Sequence, residues 1–184
     1  MKQTLIASLV LIYTVFLITG CKDNPPSPSN PPTNETELIT TFKLIFTDTA
    51  NSRVYIAYMF DADGLGPDNP SIFDSITLDT GRVYKAEIVI LDETKNPVDS
   101  VSNEILNEAD DHLFVFKKSG VDLTVQVTDK DSKNLPLGLV SYWTTGAASK
   151  GTIQVLLKHQ PGVKDGTEQP GETDIDLTFN CRIK

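Results

Sequence analysis

The sequence is poor in the residues that small folds use as staples or reactive centres: two cysteines, two histidines, two methionines and one tryptophan in 184 residues. Two cysteines allow one disulfide at most, and none if one of them is committed elsewhere, so the fold has to rest on a hydrophobic core. No cluster of Lys and Arg with interleaved aromatics occurs, and the formal net charge is −9. Nucleic acid is therefore excluded as an expected partner, because basic patches are what neutralise phosphates. Catalytic motifs are missing as well. There is no Gly-x-Ser-x-Gly elbow, no phosphate-binding loop and no His-Glu-x-x-His pair, the patterns that expose a nucleophile, cradle phosphate or hold zinc. Acidic residues abound, but acid and base roles need two carboxyls at a defined separation. A paired-carboxylate hydrolase is thus the weakest functional reading, and no enzyme is expected.

Long apolar runs are also absent, with one exception at the N-terminus. Lys2 precedes an apolar stretch from Leu5 to Ile18, the layout of a secretory signal peptide. A bilayer span takes about 20 apolar residues, and this run instead ends in Ile18-Thr19-Gly20-Cys21. That tetrapeptide resembles the lipobox of bacterial lipoproteins. The resemblance implies a cleaved signal peptide over residues 1–20, with a diacylglycerol on the Cys21 sulfur and a palmitate-type acyl chain on its new amino group. Two or more chains anchor a protein stably to a membrane. The alternatives are an uncleaved apolar N-terminus or an ordinary secreted precursor. Cleavage removes Lys2 and leaves a chain of net charge −10 in which Cys181 has no partner.

Residues 21–37 follow as lipidated cysteine and tether. Pro25, Pro26, Pro28, Pro31 and Pro32 favour an extended polyproline II spacer at ~3.1 Å per residue, long enough to hold a domain roughly 40 Å from the lipid. Residues 38–184 are expected to form one domain, and their dominant period is two. Phe42, Leu44 and Phe46 alternate, as do Val54, Ile56, Tyr58 and Phe60, then Ala86, Ile88 and Ile90. Leu123, Val125 and Val127 follow, then Leu139 with Trp143, then Ile153, Val155 and Leu157. The clearest case is Ile175, Leu177, Phe179, Cys181 and Ile183 against Asp174, Asp176, Thr178, Asn180 and Arg182. With weaker runs at 75–78 and 113–116, the pattern predicts an all-β, antiparallel immunoglobulin-like β-sandwich of about eight to nine strands. One short helix is expected over 102–111, with Ser102 as N-cap and Ile105 and Ala109 on one face.

Two segments have the composition of cation sites. Asp61, Asp63 and Asp68, with Gly64 and Gly66 between them, offer oxygens and a sharp turn suited to Ca2+. Ile72 stands where an EF-hand needs its glutamate, so that loop type is excluded. The same residues also fit a polar connection in which Asp and Asn bond their own backbone. Glu104, Glu108 and His112 fall at successive i,i+4 positions and would line one side of the helix. His159, at the end of the 153–157 alternation, could join them around Zn2+. A solvated acidic helix and a strand-end histidine packed against its neighbours are the more frequent outcomes for such residues. The segment 129–134, with two acids and two lysines, reads as a solvated turn, and Cys181 as a buried, inert thiol. Trp143 and Tyr142 face opposite ways, so Trp143 suits the core; a sugar-stacking surface would need several exposed rings.

The segments Asn107-Glu-Ala-Asp-Asp-His112, Gly138-Leu-Val-Ser-Tyr-Trp-Thr-Thr-Gly146, Leu157-Lys-His-Gln-Pro161 and Gly171-Glu-Thr-Asp-Ile-Asp-Leu-Thr-Phe179 together resemble small Bacteroidetes-type outer-membrane lipoproteins. Such proteins are often labelled type 1 periplasmic binding fold, a label at odds with a chain this short and this poor in helix. The resemblance implies association with a TonB-dependent outer-membrane receptor. Cys21-Lys22-Asp23 also resembles, loosely, the signals that place such lipoproteins on the outer face of the outer membrane, with a periplasmic face as the alternative. The resulting expectation is a cell-surface ligand-binding or accessory module for a metal ion or metal complex. A carbohydrate-binding or adhesive module is the second reading.

Overall fold

The computed structural model describes residues 38–66 and 69–184; the signal peptide, Cys21, the tether and Asp68 lie outside them. Ten strands and one helix follow in the order β1 Thr41–Asp48, β2 Val54–Phe60, β3 Ile72–Phe73, β4 Ile76–Leu78, β5 Val83–Leu91, α1 Val101–Asn107, β6 His112–Ser119, β7 Leu123–Val127, β8 Val140–Thr145, β9 Ser149–His159 and β10 Glu172–Ile183. They form a two-sheet sandwich: β3-β2-β1-β5-β8-β7 on one side and β4-β10-β9-β6 on the other. All nine predicted strands are present, and the tenth is the two-residue β3. The four-stranded sheet is mixed rather than wholly antiparallel, because β4 runs parallel to β10.

The predicted alternation becomes the core. Phe42, Leu44 and Phe46 of β1, Tyr84, Ala86, Ile88 and Ile90 from β5, and Trp143 on β8 meet Ile153, Val155 and Leu157 of β9 and the odd-numbered apolar residues of β10. Burying each large apolar side chain contributes about 1.5–3 kcal/mol. Trp143 is fully buried, edge-on to Phe46 at 5.0 Å and Phe116 at 5.6 Å. Its indole N–H donates to Ser141 Oγ at 2.9 Å, so burial leaves no orphan donor. Gly138 turns the chain into β8 at φ +100°, where a Cβ would lie 2.6 Å from that of Phe114, so only glycine fits.

On β2 the expected set Val54, Ile56, Tyr58 and Phe60 is not the one that faces the core. Ala57 and Met59 face the core, while Val54 and Ile56, 56% and 55% exposed, face outward. The strand is apolar on both sides, so periodicity alone could not choose its face.

The helix is shorter than expected. Only Val101–Asn107 is helical; Ser100 takes the N-cap position without a side-chain bond. Ser102, the expected cap, instead accepts the Ile90 N–H at 2.6 Å and donates to the Ile90 carbonyl. Val101 and Ile105 are buried on the core, so tertiary docking to β5 sets the helix ends.

Candidate functional site

Because the helix stops at Asn107, the predicted row of Glu104, Glu108 and His112 is broken. Glu104 stays on α1, Glu108 occupies its C-cap, and His112 is already the first residue of β6. This corrects the expectation of a zinc-binding helix face. The two histidines do meet, by a route that helical spacing does not supply: His112 and His159 are paired across β6 and β9. Their rings stack at 4.8 Å with an interplanar angle of 13°. Phe114 N–H bonds away from β9 to the Leu137 carbonyl, and Gln160 N–H bonds to the Asp111 carbonyl. These bonds make 112/159 a non-hydrogen-bonded pair, the antiparallel geometry in which opposed side chains lie closest.

His112 is 7% exposed, and its Nδ1 lies 3.1 Å from the Glu108 carbonyl. Burial pulls the imidazole below its ordinary value, against the Glu108 carbonyl, which favours the charged form. A neutral ring donating from Nδ1 leaves the Nε2 lone pair free. Glu172 continues the same cross-strand row on β10, opposite His159, and Asp174 sits in the adjoining bulge. Among the described residues, no three His, Cys, Asp or Glu side chains already converge around a metal position.

The acidic loop after β2 is held by backbone bonds. Asp61 is buried, its N–H donates to the Thr40 carbonyl at 2.8 Å, and its carbonyl accepts from Gly64 N–H at 3.3 Å. Gly64 has φ +86° and packs where a Cβ would strike Leu38. Asp63 is exposed in the turn, whereas Asp61 is buried.

Sequence reading missed the role of the 129–134 loop. It is pinned rather than merely solvated, because Asp131 forms an ion pair with Lys164 at 2.9 Å, both side chains fully buried. Lys164 Nζ also donates to the Ala109 carbonyl at 2.8 Å. Burial opposes the charge on Asp131, but Lys164 and the Leu135 and Lys133 N–H groups outweigh it and hold the carboxyl below its usual range. The residues just before β6, the β7–β8 loop and the β9–β10 loop are thereby tied together beside the histidines. Unpaired residue counts in one loop gave no signal of a partner 33 positions away.

Cys181 is buried, as its place in the alternation predicted, and burial pushes its thiol up to about 11, which disfavours the reactive thiolate. Tyr84 and Trp143 are fully buried and Tyr142 is 39% exposed, so one ring of these three faces solvent.

The other exposed feature is the outward side of β2. Val54 and Ile56 continue into Tyr58 and Phe60, whose rings stack at 6.2 Å, and Ile45 lies beside Ile56 on β1. Lys43 sits 5.3 Å over the Tyr58 ring. β3 pairs only with Met59 and Phe60, and Asp74 closes Tyr58 through its backbone and carboxylate. Val54 to Ala57 therefore form an open sheet edge. Beside it, Tyr55, Ile56, Ser75 and Thr77 line a cleft of about 170 Å³, smaller than the roughly 300 Å³ at which small-molecule pockets begin. Among the described residues no helix is long and apolar enough to cross a membrane.

No family model matches the chain, and neither the curated proteins nor the solved structures contain a match.

Proposed function

We propose that this chain is a non-enzymatic binding or accessory module, held on the outer membrane by lipid on Cys21, that docks on a TonB-dependent receptor serving uptake of a metal ion or metal complex. The observation that carries docking is β2, whose outward face exposes Val54 and Ile56 beside an open edge. Exposed apolar surface next to an unpaired strand is costly in an isolated protein and is a usual mark of a protein interface. The receptor itself, the anchor and the outer-membrane location rest on the sequence resemblances.

The test is recovery of the tagged full-length protein from native membranes in mild detergent. A co-purifying β-barrel receptor, lost on Val54→Ser/Ile56→Ser, is the expected result. Recovery as a free monomer overturns the proposal. The carbohydrate-binding reading is less well supported, since Tyr84 and Trp143 supply no exposed ring.

A further inference from the structure

We propose that His112 and His159 form a cross-strand site for a borderline divalent transition-metal ion, Zn2+ or Cu2+, with Glu172 as the carboxylate paired opposite His159 on β10. The site lies on the four-stranded sheet, away from β2, so it stands or falls independently of receptor docking.

Three features of the pair support it. A non-hydrogen-bonded cross-strand position brings two side chains closer than any other pairing in an antiparallel sheet. His112 is fixed in one tautomer by Nδ1 donating to a backbone carbonyl, the arrangement by which metal-binding histidines are usually oriented and made more basic. Burial further favours the neutral ring, the only form that ligates a metal.

The surroundings favour a cation. The charged or titratable groups that act on His112 are Glu108 at the end of α1, His159 on β9 and Asp174 on β10, and Glu172 adds a carboxylate opposite His159. None of these neighbours is basic apart from the histidine itself. The rings now lie face to face, so binding requires the less buried His159 to turn until its lone pair converges with that of His112 Nε2, while His112 keeps its bond to the Glu108 carbonyl. Water or a carried ligand completes the tetrahedral or tetragonal shell that imidazole ligands prefer. A ligand set with open positions suits a metal that is handed on rather than permanently enclosed.

The experiment is titration of the full-length chain in detergent with ZnCl2, followed by calorimetry and by ¹⁵N-detected signals of the two imidazoles, with Cu2+ electron paramagnetic resonance as a second probe. The expected result is one ion per chain, shifts at the nitrogens of both histidines, and nitrogen coupling in the Cu2+ spectrum. Affinity should fall at least about tenfold in His159→Ala, whose side chain is the less buried of the two, and remain unchanged in Asp63→Ala. Binding should weaken below about pH 6, as protons compete for the imidazoles. If His112→Ala does not fold, the wild-type imidazole signals still decide the matter. Absence of Zn2+-dependent shifts at either ring overturns the proposal, as does equal binding by wild type and His159→Ala.

Discussion

Strands β10 and β2 are both rich in apolar residues, yet one is buried on a single face and the other on neither face completely. β10 alternates without exception from Ile175 to Ile183, and every inward residue is buried while the outward ones are Asp176, Thr178, Asn180 and Arg182. β2 places the smaller Ala57 and the flexible Met59 inward and leaves Val54 and Ile56 in solvent. The difference separates residues chosen for packing from residues that packing does not explain. An apolar side chain whose removal costs the fold nothing invites a partner as its reason.

The comparison can be broken most directly at Phe179. Its ring is fully buried, tilted against Phe42 at 5.9 Å and stacked on Phe73 at 4.8 Å. Phe179→Ala should destabilise the domain by about 3–5 kcal/mol, read as a lower urea midpoint. A cost below that of an exposed substitution would mean that β10 is not the core strand described above.

Lys164→Met should come next, at about 3 kcal/mol, because it leaves the Asp131 carboxylate buried without its cation. The effect should shrink in the double variant Lys164→Met/Asp131→Leu, measured by the same unfolding curves. Additive losses would show that the pair is not coupled.

A smaller effect is expected from pH. His112 has a folded value below its unfolded one, so the unfolded state binds more protons between the two. Stability is then complete above about pH 6.5 and falls as pH drops through that value toward the folded one. His112→Gln should flatten the slope between about pH 5 and 7; the lowered carboxyls of Asp92, Asp110, Asp131 and Asp165 act only below about pH 4.

The smallest stability change belongs to β2. Ile56→Ser should move the unfolding free energy by no more than about 0.5 kcal/mol while reducing recovery of the membrane partner. A large loss of stability there would turn the outward face into a structural element and remove the contrast with β10.

Much of this architecture was legible in advance because a period of two is a local property. Most residues of β1, β5 and β10 announce their face through their immediate neighbours. β2 was ambiguous for the same reason, since both faces carry hydrophobes. The start of the helix was misplaced because Ser102 bonds to Ile90, a strand residue brought near only by folding, and the predicted row of Glu104, Glu108 and His112 was lost at the other end, where the helix stops at Asn107 and His112 already opens β6. The histidine pair was only partly visible. His159 showed its face through Ile153, Val155 and Leu157, but its meeting with His112 depends on the register of two strands separated by β7 and β8.

By itself the sequence determined the two-layer β architecture, the inward placement of Trp143 and Cys181, and a composition without recognisable catalytic motifs, because these follow from alternation and residue type. Tertiary structure alone decided which face of β2 meets solvent, the buried bond between Lys164 and Asp131, and the stacking of His112 on His159. Those outcomes depend on strand register and on contacts between residues far apart in the chain, which no local pattern encodes.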